Sequence, residues 1–138
     1  MPRKLKVVIA HHEKAIADAF GKAILPQCNV DAKTAYSGVS GLELVLSTNP
    51  DVAILCIVPA YHGDLNGVFA AVVVRALMPA CRVMLFPGGS GTWVTEPLLL
   101  AKARSYEFEL LPEPIQPQGL LELLTKLTGG DIEPIRSR

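Results

Sequence analysis

The chain has few charges, few aromatics and no surplus of either sign. Only 19% of its 138 residues are charged and 6% are aromatic, and 13 basic residues balance 13 acidic ones. Without a basic surplus it lacks the electrostatic footprint of a nucleic-acid binder. Long apolar runs are also missing: Val52–Tyr61 is broken by Pro59, and Val68–Val74 ends at Arg75. No membrane span is therefore expected. The three cysteines, Cys28, Cys56 and Cys81, form no CxxC pair. That argues against a disulfide framework or a zinc ribbon and fits a reduced, cytoplasmic setting. Met1-Pro2-Arg3-Lys4 leads into a short strand-like run with no cleavage site, so no signal peptide is expected. No GxGxxG follows the first apolar run, and the Pro87–Gly91 stretch lacks a GK[ST] ending. No repeat or low-complexity segment is present.

What is present is apolar material. Half of the chain is hydrophobic and the mean hydropathy is +0.35, which excludes a disordered chain. The length suits one domain over residues 1–138, with a core over about 4–128 and a short polar tail over 129–138.

The apolar pattern changes period along the chain. Leu5–Ala10 is a short β-branched run of the kind a buried parallel strand shows. Glu13–Leu25 carries Ile16, Phe20, Ala23 and Ile24 at helical spacing, and Pro26 stops it. Asn29–Tyr36 reads as a more polar strand near an edge. Gly38–Thr48 reads as a helix with Val39, Leu42 and Leu46 on one face and a capping-box pattern at Ser40–Glu43. Asp51–Val58 is the most buried-looking strand, and Pro59–Gly67 is a loop. Val68–Met78 is a helix closed by Pro79, and Cys81–Phe86 is a fourth strand. After the flexible Pro87–Gly91 loop, Thr92–Ser105 reads as a helix with Pro97 near its first turns. Tyr106–Leu111 reads as a fifth strand. Pro117–Leu127 is a last helix with Leu120, Leu123, Leu124 and Leu127 on one stripe.

This is an α/β chain of the (βα)5 type. Short apolar strands separated by helices imply a parallel sheet covered on both faces. Right-handed crossovers then give a doubly wound three-layer sandwich. Ligands in such folds bind at the carboxyl ends of the strands. His11, His12, Cys56 and the Pro87–Gly91 loop fall there.

At those strand ends the sequence resembles response-regulator receiver (CheY-like) domains over about Lys4–Leu127. Leu5-Lys-Val-Val-Ile-Ala-His-His-Glu13 is similar to the family's first strand, which ends in paired acids. Asn49-Pro-Asp-Val-Ala-Ile-Leu-Cys-Ile-Val-Pro59 is similar to its third strand, in which a Pro-Asp pair precedes an apolar run ending in the phosphorylated aspartate. Leu110-Leu-Pro-Glu-Pro114 is similar to the end of its fifth strand, where lysine precedes a proline. The resemblance implies a flavodoxin-like five-stranded parallel sheet of order 2-1-3-4-5.

The family's chemistry is replaced residue by residue. In receivers the acids and the phosphoacceptor hold magnesium, and a hydroxyl and a lysine contact the phosphoryl group. That set is chemically sensible, since a hard cation takes oxygen ligands and acyl-phosphate formation needs a carboxylate. Here His11 and His12 stand at the acid pair, Cys56 at the phosphoacceptor, Pro87 at the hydroxyl and Glu113 at the lysine, while Leu110 sits near the aromatic switch position. Pro59 comes one residue early and Tyr61–Asn66 departs from pattern. Asp51 lies at the wrong end of its strand to substitute, and Asp64 lies in the following loop. The resemblance therefore implies a degenerate phosphorylation pocket.

His11, His12 and Cys56 admit other readings. Two imidazoles and a thiolate suit zinc or copper, with His62 as a candidate fourth ligand. Adjacent strand residues point to opposite faces, however, which opposes convergence of His11 and His12 unless the chain has left the sheet. The plainer reading is neutral side chains plugging a pocket, and no metal or other cofactor is expected on it. Cys56 as a reactive thiol would need a nearby cation, whereas burial makes it a core residue. Gly88–Gly91 ahead of a helix could cradle an anion, but glycines also simply make mobile turns. Val68–Met78 has Arg75 as its only charge, so it lacks the polar stripe of a sheet-covering helix. Phe69 and Val73 on this helix, and Trp93 and Leu99 on the next, are candidate interface residues.

The expectation is a stand-alone, non-enzymatic pseudo-receiver that cannot be phosphorylated at Cys56 and acts on a protein partner or on itself. Neither nucleic acid nor a membrane is expected as a partner. The alternative is a small-ligand or metal-binding flavodoxin-like protein that uses His11, His12, Cys56 and the Gly88–Gly91 loop.

Overall fold

The computed structural model describes residues 5–24, 30–57, 65–87, 92–112 and 116–127. The elements alternate strictly: β1 Leu5–Ala10, α1 Lys14–Ile24, β2 Val30–Ala35, α2 Gly38–Thr48, β3 Val52–Cys56, α3 Gly67–Leu77, β4 Arg82–Phe86, α4 Thr92–Ala103, β5 Glu109–Leu110 and α5 Pro117–Leu127. The five strands are all parallel, in the order β2-β1-β3-β4-β5. The polar β2 lies at an edge.

Side-chain alternation along each strand builds two cores. Val7, Ile9, Ile54, Cys56, Met84 and Phe86 pack on one face with Phe20, Leu120 and Leu124 of α1 and α5. Val8, Ala10, Ala53, Leu55, Val83 and Leu85 pack on the other with residues of α2, α3 and α4. The result is the three-layer sandwich that the apolar runs imply. No helix among the described residues is long and apolar enough to cross a membrane.

Four local expectations need correction. The first concerns α2, whose buried residues are Gly41 and Val45; Leu42 packs partly buried against the same core, but Val39 and Leu46 do not share that face. Val39 and Leu46 are exposed. The helix lies so close to β1 that a Cβ on Gly41 would sit 2.5 Å from that of Ala10. A glycine has no hydrophobic weight, so the pattern points to the wrong stripe. Secondly, the cap of α2 is Ser37, whose side chain accepts from the Ser40 N–H at 3.0 Å, and the Ser40–Glu43 pattern lies inside the helix. Thirdly, α4 ends at Ala103, and Ser105 turns the chain with a left-handed backbone (φ 69°). Finally, β5 shrinks from Tyr106–Leu111 to Glu109–Leu110. Tyr106 and Phe108 stack on each other and pack towards the α3–α4 core, with the Arg75 guanidinium 5.0 Å from the Phe108 ring centre.

Candidate functional site

The carboxyl ends of β1 and β3 meet in a narrow cleft. Ala10, His11, His12, Leu55 and Cys56 form its floor, and Ser37, Gly38, Gly67 and Ala70 form its walls. Its water-accessible space is about 10 Å³, room for about one water molecule.

The strand pairing places its first residue. His11 lies one residue past β1, and its N–H donates to the Ala35 carbonyl at 3.1 Å. The ring follows the inward row of Val7 and Ile9 and is 7% exposed. It meets Phe86 edge-on at 5.1 Å, and Phe86 meets Phe20 at 5.2 Å in the same manner. The Glu13 N–H donates to His11 Nδ1 at 3.0 Å, so the proton of the neutral ring sits on Nε2. Burial, then repulsion from His12, lowers the His11 pKa from 6.5 to about 4, against a smaller opposing pull from Glu13. This imidazole is neutral at physiological pH.

His12 does not point to the opposite face. The strand has already ended, and the two imidazoles stack with centroids 4.8 Å apart and planes 17° from parallel. The His12 Nδ1 lies 3.4 Å from the Cys56 Sγ, within hydrogen-bonding reach for sulfur. The His12 Nε2 faces Glu13 Oε1 at 3.8 Å. Cys56 ends β3, is buried, and can donate its thiol to the Ile57 carbonyl at 3.6 Å. His11, His12 and Cys56 thus present ligand atoms that all lie within 4.8 Å of one another. Cys81, at the other end of the sheet, has its thiol pushed up to about 11, by burial first and Asp51 second.

Pro87 follows β4, is half-buried and is not among the residues that line the cleft. Glu113, His62, Asp64, Cys28, the Gly88–Gly91 loop and the side chain of Trp93 lie outside the described residues. Phe69 (46% exposed), Val73 and Leu77 (65%) form an outward row at i, i+4 and i+8 on α3. On α4, Leu99 is 65% exposed, with Leu100 beside it. The near-absence of polar residues on α3 thus leaves an apolar outer stripe.

Sequence reasoning missed two supports of the cleft. Asn66 caps α3 by accepting from the Val68 N–H at 2.8 Å. Gly67 lets that helix start directly against β3, where a Cβ would collide with the Cys56 carbonyl. The Asn-Gly pair ahead of an apolar run was the available signal.

No family model matches the sequence, and no curated protein matches it. Solved structures do. A CheY-like response regulator receiver domain protein from Methanospirillum hungatei matches with a TM-score of 0.74 at 16% identity, over 93% of this chain and 96% of that one. The receiver domain of AraT, a response regulator from Geobacillus stearothermophilus, matches at 0.67 and 24% identity, over 91% and 93%. A two-component transcriptional regulator, AraC, from Clostridium phytofermentans matches at 0.69 and 19% identity, over 93% and 95%. In strand order, layering and extent, this chain has the CheY-like fold of response-regulator receiver domains.

Proposed function

We propose that the protein is a pseudo-receiver of a two-component-type signalling system: a non-enzymatic module that is not phosphorylated at Cys56 and works by binding a protein partner or a second copy of itself. The observation that carries this reading is the trio His11, His12 and Cys56, with no carboxylate among them, at the carboxyl ends of β1 and β3. A magnesium ion there would find imidazole and sulfur instead of the oxygens a hard cation takes. A phosphodonor would find a thiol instead of a carboxylate. The cytoplasm is the compartment that such a module implies.

The interaction half of the reading draws on surface. Phe69 and Val73 on α3, and Leu99 on α4, are large apolar groups in water. Trp93 belongs to the same proposed surface by its place on α4. The small-ligand alternative has less support, because the cleft admits little more than a water.

Incubation with acetyl phosphate and magnesium, followed by intact-mass measurement, tests the reading. The expected result is an unchanged mass. A stable phosphoryl adduct mapped to this chain would overturn it.

A further inference from the structure

We propose that His11, His12 and Cys56 form a binding site for a borderline-soft divalent cation of the zinc class, with a water in the fourth position. Zinc takes imidazole nitrogen at about 2.0 Å and thiolate sulfur at about 2.3 Å, so a tetrahedral N–Zn–S edge is about 3.5 Å long. The separation between His12 Nδ1 and Cys56 Sγ is 3.4 Å, so this edge is already in place. The third donor, from His11, lies within 4.8 Å of the other two; on coordination its ring turns out of the stack with His12 and closes by up to about 1.5 Å.

Three further features suit an ion. Ligation through His12 Nδ1 puts the ring proton on Nε2, which faces the Glu13 carboxylate at 3.8 Å. A carboxylate behind a metal-bound imidazole fixes its tautomer and strengthens the ligand. His12 stands at the mouth of the cleft with its side chain 25% exposed, which gives the ion an entry path. The cleft admits one water-sized body, which is room for the ion itself, and its open mouth leaves the fourth position to solvent.

Binding has a defined proton balance. The Cys56 S–H bond breaks, a sulfur–metal bond forms and one proton leaves to solvent. His11 contributes a lone pair without losing a proton. Its Nδ1 now accepts the Glu13 N–H. Coordination through Nδ1 displaces that bond directly, and coordination through Nε2 moves the ring proton to Nδ1, where it opposes the Glu13 N–H. In either mode the bond is lost. The Glu13 backbone carbonyl accepts from the Ile16 and Ala17 N–H groups at the start of α1, so occupancy is transmitted to that helix terminus.

The site does not depend on the pseudo-receiver reading: a phosphoryl adduct would refute that reading and leave zinc affinity to be measured on its own. The test is titration of the reduced full chain with Zn2+ against a competing chelator, with Mg2+ in parallel. The expected outcome is one equivalent of Zn2+ bound with about one proton released, and no comparable Mg2+ binding. Cys56→Ser and His12→Gln should each weaken binding by more than about 100-fold, and Glu13→Gln by about 10-fold. The Glu13 amide resonance should move with Zn2+. His12→Gln changes a partly exposed side chain, so it still reports if Cys56→Ser fails to fold. Binding no tighter than that of Mg2+, or binding unaltered in His12→Gln, would overturn the proposal; the latter would put the ion elsewhere on the chain.

Discussion

The two ends of the sheet differ sharply in charge. At the amino ends of the strands, Lys6, Asp51, Arg82 and Glu109 knit neighbours together. The Lys6 N–H donates to the Asp51 carboxylate at 2.8 Å, the Arg82 N–H donates to the Asp51 carbonyl at 2.9 Å, and the Arg82 guanidinium meets Glu109 at 2.9 Å. At the carboxyl ends of β1 and β3 the corresponding positions hold two stacked imidazoles and a thiol, with one imidazole held neutral. The low charged fraction of the chain is therefore not an even dilution. Charged side chains join strands at the amino ends, whereas the cleft at the carboxyl ends of β1 and β3 is floored by imidazoles and a thiol.

Substitutions can break this contrast, and the largest effect is expected at the wall of the cleft. Gly67→Ala would push a Cβ into the Cys56 backbone, and backbone cannot turn aside as a flexible side chain can. A loss of about 2–3 kcal/mol is expected in urea unfolding. A loss below about 0.5 kcal/mol would mean that the close approach of α3 to β3 is not needed. His11 should give the next effect. It is held neutral in the fold and titrates near 6.5 when unfolded, so its contribution is fully present above about 6.5 and is lost as pH falls towards about 4. Allowing for water at the cleft mouth, about 2 kcal/mol should disappear over that window. The comparison is with His11→Gln, whose stability should fall less over the same range; parallel curves would sink the assignment. The amino end should respond least. Arg82 and Glu109 are both roughly half exposed. Glu109→Ala should cost no more than about 0.5 kcal/mol, and less in high salt. A larger cost would erase the contrast between structural charge at one end and its replacement at the other.

Much of this was legible in the sequence, for physical reasons. Buried parallel strands read as unbroken β-branched runs, so Leu5–Ala10 and Val52–Cys56 declared themselves. Because strand ends follow from strands, His11, His12 and Cys56 could be placed together before any coordinates. Their convergence was harder to read. Alternation argued against it, and only the end of β1 at Ala10 allows the rings to stack. The inward row of α2 was hidden because its contact is a glycine against Ala10. The brevity of β5 was hidden because Tyr106 and Phe108 have strand propensity but spend it on packing with α3 and α4. The proton position on His11 depends on a backbone donor two residues away, which no composition or spacing reveals.

The central claim is that the carboxyl-end cleft does not accept a magnesium-bound phosphoryl group. The most direct measurement is an NMR titration of the isotope-labelled full chain with magnesium and beryllofluoride, a mimic of the acyl phosphate. The account predicts that the amides of Ala10–Glu13 and Leu55–Ile57 stay in place. Saturable shifts at these residues that require both reagents would contradict it.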